Sequence, residues 1–382
     1  MSKLDLTTTQ RADLDRSYGA VTEALVNSAA LKGILHRLDL RPQGSVRART
    51  VNRPSGETRF DLDVLCWMEF ISKHRSPEEV WQLVWNALGE HGVYKNMREP
   101  KARCIRLRFA NDYDLDITPA IPDSTRPEPM LWVPDKSLKT WSASNPIGFC
   151  DHWLKSIAAQ LPTTLTSLSA TIVRKNATAA ANTRSDRVEP LPTDQGFEKA
   201  PLLRLIQLVK HFRNEGYAVD DKNRPSSILL TTITAKAYQK ALLAQHTSLN
   251  AFIIQVLATL KNEVGVTETA GIYHFHVLNP ADDRRENFAE KWTLKTYGSF
   301  TRWADSLSSQ VTKLMNTAAM GLDARIEVLN STIPGAQRLS LADDIGREMR
   351  VMHDTGNLRL TAVPAMAASL TPIRPTTFFG NP

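Results

Sequence analysis

Two segments of the chain, FDLDV (60–64) and YDLDITPAIP (113–122), set acids at alternate positions within apolar runs. Strand side chains alternate between the two faces of a sheet, so Asp61 and Asp63 project together, as do Asp114 and Asp116. Like charges held that close repel unless a cation lies between them, and paired carboxylates facing phosphates are the usual hard-oxygen site for magnesium. An acid pair of this kind, taken alone, also fits a solvated strand face. Here it comes with a glycine-serine turn, Gly44 and Ser45 in QGSVRART, where glycine permits close backbone approach and a hydroxyl with exposed amides grips phosphate oxygens. Asp61, Asp63 and one of Asp114 or Asp116 beside such a turn would hold two magnesium ions for in-line phosphoryl transfer. Two carboxylates would position the metal of a triphosphate, and the third would help to activate an attacking hydroxyl.

The surrounding periodicity predicts two lobes. Leu14, Tyr18, Val21, Leu25, Ala29 and Leu31 recur at spacings near three and four, the pattern of an amphipathic helix over 10–37. Val64 to Met68 read as a buried strand, and Ser76 and Pro77 start a helix with acids in its first turn. CIRLRF and YDLDITPAIP form a hairpin around Ala110, Asn111 and Asp112, so residues 1–144 read as an α/β lobe with a mixed sheet. From 145 to 355 the spacing is helical, with helices expected over 145–160, 200–216, 226–245, 249–265 and 286–318. Residues 176–199 read as a mobile loop and 356–382 as an extended tail.

Composition sets the remaining bounds. Hydrophobic residues at 42% and charged residues at 23% fit a globular chain, and a net charge of +7 favours an anionic partner such as a nucleotide or nucleic acid. Cys66, Cys104 and Cys150 form no CxxC pair, so neither a zinc site nor a disulfide framework is written in the sequence. No signal peptide or membrane-spanning run is apparent, and the expectation is a soluble cytoplasmic protein without membrane partners. His274 and His276 share one strand face, but with no third ligand near in sequence they read as structural.

The segment QGSVRARTVNRPSGETRFDLDVLC resembles the signature of the CD-NTases, bacterial cyclic-oligonucleotide synthases related to cyclic GMP-AMP synthase and oligoadenylate synthetase. DLDITPAIP resembles the family's third-aspartate strand and WSASNPIGFCDHW its following NP-G-W element. LLRLIQLVKHFRN and RPSSILLTTITAKAY resemble the two helices that close over the donor triphosphate, and HVLNPADDRRENFAEKW a late NP…ENF..KW segment. The resemblance covers roughly residues 10 to 310. It implies a two-lobed, polymerase-beta-like α/β fold, with a mixed-sheet catalytic lobe, a helical lobe closing over the nucleotide cleft, and two Mg2+ ions, with Mn2+ as a substitute.

Carried over residue by residue, the resemblance assigns Gly44 and Ser45 to the donor phosphates and Asp61, Asp63 and Asp116 to the metal and catalysis. Asp116 is preferred to Asp114 because it directly precedes Ile-Thr-Pro. Lys210, with Ser227 or its neighbour Ser226, would bind the triphosphate, while Arg106 and Arg108 are candidates for the acceptor's phosphate. The family usually has glycine where Arg49 stands, before Thr50. The animal DNA sensor's zinc insertion is absent, so no DNA-dependent activation of that type is expected. The implied activity is template-free joining of ribonucleoside triphosphates, ATP among them, into a cyclic di- or oligonucleotide messenger of CBASS anti-phage defence, with release of pyrophosphate. The alternatives are a linear transferase acting on RNA or protein and a catalytically silent nucleotide- or RNA-binding protein. The resemblance further suggests regulatory or ubiquitin-ligase-like partner proteins, the latter acting at the FFGNP end.

Overall fold

The computed structural model of the chain describes residues 4–32, 38–54, 59–69, 75–110, 113–135, 139–162, 189, 191–192, 199–282, 286–319 and 322–332, with a few short pieces beyond. Most of the loop expected at 176–199 and of the tail expected at 356–382 lies outside these residues. Two compact units are defined, Met1–Ser309 and Gln310–Pro382. The α/β lobe expected over 1–144 and residues 145–309 of the helical lobe expected over 145–355 fall within the first.

In chain order the first unit begins with α1 (Thr8–Val26), β1 (Leu38–Pro42), α2 (Gly44–Arg47), β2 (Phe60–Met68), α3 (Pro77–Glu90) and α4 (Tyr94–Met97). β3 (Arg98–Pro100), β4 (Ile105–Arg108), β5 (Tyr113–Pro122), β6 (Leu131–Asp135) and β7 (Thr140–Ser144) follow. The strands form one mixed sheet in the order β1-β2-β5-β4-β3, with β6 joined to β5 and β7 to β6. β2 and β5 run parallel and the other pairs antiparallel.

The alternation of each strand decides what each face of the sheet carries. Leu40, Leu62, Val64, Cys66, Ile105, Leu107, Leu115 and Ile117 turn inward and join Leu14, Tyr18, Val21 and Leu25 of α1 and Val80, Trp81, Val84 and Leu88 of α3 in one core. The intervening residues, Asp61, Asp63, Arg106, Arg108, Asp114 and Asp116, are left to the opposite face. Further along that face Leu65 and Trp67 join a smaller apolar cluster with Leu131, Val133 and Ile147. α1 is shorter than its periodicity predicts. It ends at Val26, and Glu90 accepts the backbone N–H groups of Ala29 and Ala30, each at 2.7 Å, beyond the helix end.

The helical region contains a π-helical turn (Gly148–Leu154), α5 (Lys155–Ala158), α6 (Pro201–Gly216), α7 (Ser227–Ala241), α8 (Leu249–Thr259), the hairpin β8 (Gly265–Thr269) and β9 (Ile272–His276), and α9 (Leu294–Met315). Residues 286–293 do not lead α9 as the spacing predicted. Asn287 instead donates to Phe275 O at 2.7 Å and accepts from the backbone N–H of Val277 at 2.9 Å, which holds this stretch as an irregular turn on β9. The second unit contains α10 (Leu322–Thr332) and a two-residue antiparallel pair, β10 (Arg359–Leu360) with β11 (Thr371–Pro372).

The two Asn-Pro motifs interlock. Asn145 is buried, its Nδ2 donates to Ala281 O at 2.6 Å, and its Oδ1 accepts the Gly148 N–H at 2.9 Å. A side chain at Gly148 would collide with Asn145, which explains the glycine. Arg126 pairs with buried Asp282 at 3.4 Å in the same junction. Asn145→Ala is expected to lose about 2–3 kcal/mol of stability, because it removes two hydrogen bonds and strands a buried N–H. An unchanged urea midpoint would refute that role.

Candidate active site

Parallel pairing of β2 with β5 sets Asp61 against Asp114 and Asp63 against Asp116. Four carboxylates are thus in register on neighbouring strands, on the face away from the core. Burial pushes the Asp63 carboxyl up to about 7, and the charges of Asp116 and Asp61 push in the same direction, against the pull of Lys210 and Arg106. Asp61 is raised as well, by burial and then by Asp116. Burial and the neighbouring carboxylates together disfavour the ionised forms of Asp61 and Asp63.

Gly44 sits at the first position of α2, with φ +58°, and its backbone lies directly on Asp63. An added Cβ would overlap Asp63 Oδ2 and stand 3.1 Å from Cγ, so only glycine brings the loop this close. The expected turn is in fact a single helical turn, tied to the carboxylate strand by the Gln43 N–H on Asp63 O at 2.8 Å. Ser45 is half-buried next to Gly44. Arg47, which closes α2, donates to Asp151 at 2.5 and 3.0 Å and to Glu189 at 2.9 and 3.1 Å, anchoring the loop to the helical region.

Arg49 takes the left-handed conformation, φ 58°, at the position where the resembled family usually has glycine. Arg49→Gly is expected to raise stability by about 1 kcal/mol, since a side chain costs roughly that in this region. A lowered melting temperature would show that the arginine side chain is worth more than the strain.

Lys210 and Ser227 lie on facing helices. Lys210 is buried and donates to Thr50 O at 2.8 Å, and burial, reinforced by Arg213, lowers its ammonium to about 7, with Asp63 pulling the other way. Ser226 caps α7 by accepting the Leu229 N–H, while Ser227 Oγ accepts from Arg213 at 3.1 Å. Arg106 and Arg108 do not stand apart as acceptor-phosphate groups. The Arg106 guanidinium lies across Asp61, Asp114 and Asp116, and Arg108 pairs with Glu99 at 3.3 Å and approaches Asp114 to 3.8 Å. His276 is bonded to Thr267 at 2.8 Å.

Sequence reasoning missed three groups. Arg59, on Asp114 at 2.9 Å, shares strand parity with Asp61 and was findable, as was Arg213, which lies three residues after Lys210 on one helix. The Arg47–Asp151–Glu189 cluster joins residues more than a hundred positions apart and leaves no local signal.

A mixed sheet with aligned carboxylates, a tight glycine loop on them and flanking helices with buried cations form a polymerase-beta-like nucleotidyltransferase fold. Residues 1–156 match the family model described as Second Messenger Oligonucleotide or Dinucleotide Synthetase domain. A c-di-GMP synthase of Roseivirga ehrenbergii is 26% identical over 385 aligned positions, covering 99% of this chain and 94% of the relative. Two solved structures share the fold. The Bradyrhizobium diazoefficiens CD-NTase CdnG in complex with GTP has a TM-score of 0.63 at 18% identity, covering 90% of this chain and 95% of that one. The Escherichia coli CdnC:HORMA-deltaN complex has 0.55 at 12%, covering 87% and 94%. The family model thus matches the segment that runs from α1 to β7 and carries the four carboxylates. No helix among the described residues is long and apolar enough to cross a membrane.

Proposed function

We propose that this chain joins ribonucleoside triphosphates without a template and closes the product into a cyclic dinucleotide, with GTP a substrate and ATP the next to test. A ribose hydroxyl of one nucleotide forms a bond to the α-phosphorus of another while the bond to pyrophosphate breaks, and a second such step closes the ring. The observation that carries the reading is the register of Asp61 and Asp63 with Asp114 and Asp116, with Gly44 packed against Asp63. The relative's activity, c-di-GMP synthesis, supports guanine as the first base to test.

The donor chemistry fits a divalent ion. Three carboxylates from adjacent strands supply hard oxygens, and their mutual repulsion is what a cation relieves. Among the described residues, no three His, Cys, Asp or Glu side chains converge as a finished cage, and Arg106 engages Asp61 and Asp116. Asp61, Asp63 and Asp116 would hold magnesium, or manganese in its place, which when bound neutralises phosphate charge and favours the attacking alkoxide. Gly44 and Ser45 would take the donor phosphates at the start of α2. Lys210 and Ser226 or Ser227 would face them from α6 and α7. Residues 145–309 would close over the nucleotide, and residues 1–144 would carry the carboxylates.

Anti-phage signalling in the cytoplasm is the setting we propose, with a HORMA partner like that of the CdnC complex as one candidate regulator. A silent binder gains nothing from carboxylates clustered toward phosphates. Incubating the protein with four labelled triphosphates and magnesium, then with phosphatase, is expected to leave a resistant species with the mass of a cyclic dinucleotide. Complete phosphatase digestion would favour a linear transferase, and nucleotide binding with no pyrophosphate release would favour a silent binder.

A further inference from the structure

Arg106 makes more contacts to the carboxylate cluster than any neutralising surface group needs. Its Nε donates to Asp116 Oδ1 at 2.7 Å and its Nη2 to Asp116 Oδ2 at 2.8 Å, so the planar fork spends both oxygens of that carboxylate. The same Nη2 donates to Asp61 Oδ1 at 3.1 Å, placing positive charge between two carboxylates of neighbouring strands. The remaining nitrogen, Nη1, donates to Asp114 Oδ2 at 3.1 Å. Asp114 differs from its neighbours. It is 3% exposed and is also held by Arg59 Nε at 2.9 Å, so its oxygens are committed to guanidinium groups.

We propose that Arg106 is the resident counter-cation of this site: it occupies Asp61 and Asp116 when no divalent ion is bound, and stays tethered to Asp114 when it yields them. This rests on the metal reading given above. The strands dictate the arrangement, because β4 pairs antiparallel with β5 and sets Arg106 directly opposite Asp116. The arginine side chain is 21% exposed and that of Asp61 53%, so the guanidinium has solvent into which it can swing from these two oxygens without leaving Asp114. A lysine in its place would supply charge but not the three simultaneous contacts. The consequence is competition: binding of a divalent ion to the free protein is an exchange of one cation for another and is weaker than the carboxylates alone would give. Arg106 acts here as a positioning residue through the carboxylates.

The test is Mn2+ titration of the full chain without nucleotide, followed by electron paramagnetic resonance of the free ion, for wild type, Arg106→Ala, Arg106→Gln, Arg106→Lys and Asp63→Asn. Both neutral variants are expected to bind Mn2+ at least about tenfold more tightly than wild type, because a positive charge a few ångströms from the ion has gone. The lysine variant is expected to fall between. The melting temperature of the neutral variants in EDTA is expected to drop and to recover with Mn2+ by more than that of wild type. Should Asp63→Asn abolish Mn2+ binding while the neutral variants bind no better than wild type, the counter-cation role is overturned and the metal reading stands. Should wild-type Mn2+ binding survive Asp63→Asn, the metal reading itself fails and this inference with it. If Arg106→Ala does not fold in EDTA, Arg106→Gln, which keeps most of the side-chain volume, decides between these outcomes.

Discussion

Replacing Asp61 and Asp63 together by Asn is expected to cut nucleotidyl transfer at least about a thousandfold while leaving the chain as stable as wild type or slightly more so. On the proposed metal role, loss of the pair removes several kcal/mol of transition-state stabilisation, and each 1.4 kcal/mol is a factor of ten. Stability does not suffer in parallel, because the ionised pair is repelled by Asp116 and is not a source of folding energy. Asparagine keeps the volume, and Arg106 retains Asp114 and Asp116 as partners. Pyrophosphate release and thermal unfolding, measured on the same preparation, separate the two effects. Undiminished release by the folded double variant would sink the carboxylate assignment.

Gly44→Ala carries the next largest effect, a loss of about a hundredfold or more in kcat/KM for the triphosphate. The left-handed backbone at this position costs a side chain about 1–2 kcal/mol, and the methyl group must displace the Asp63 carboxylate that it meets. A shift of about one ångström in a reacting constellation is enough to cost two orders of magnitude. Ser45→Ala, at the neighbouring proposed phosphate-binding position, separates loss of a hydroxyl from displacement of the backbone and carboxylate. A Gly44→Ala enzyme with wild-type kinetics would show that close contact between the loop and Asp63 has no part in catalysis.

The elements that sequence reading found and those it missed differ in one physical respect. Strand parity is local, so the sharing of a face by Asp61 and Asp63, and by Asp114 and Asp116, could be read from spacing two along each chain segment. The hairpin of β4 and β5 was legible for the same reason, and so was the Ser76 cap of α3, to which the structure adds a reciprocal bond with Glu79. Boundaries were less legible where a distant residue decides them. α1 stops at Val26 and hands the following amides to Glu90, and α9 starts only at Leu294 because Asn287 is bonded to β9.

The amino-acid sequence by itself determined that there would be two acid-bearing strands, which face each acid takes, and that a glycine-serine loop would precede them. It could not determine that β2 and β5 pair in parallel with Asp63 level with Asp116, nor that Arg106 would be laid across three carboxylates, nor that Arg47 would bind Asp151 and Glu189. Those relations are set by the pairing of distant segments into one sheet, which fixes register through backbone hydrogen bonds that no local pattern encodes. The charges of the site acquire their meaning only there: Asp63 next to Asp116 and Asp61 is held less readily ionised, whereas Asp114 next to Arg59 is an anchor.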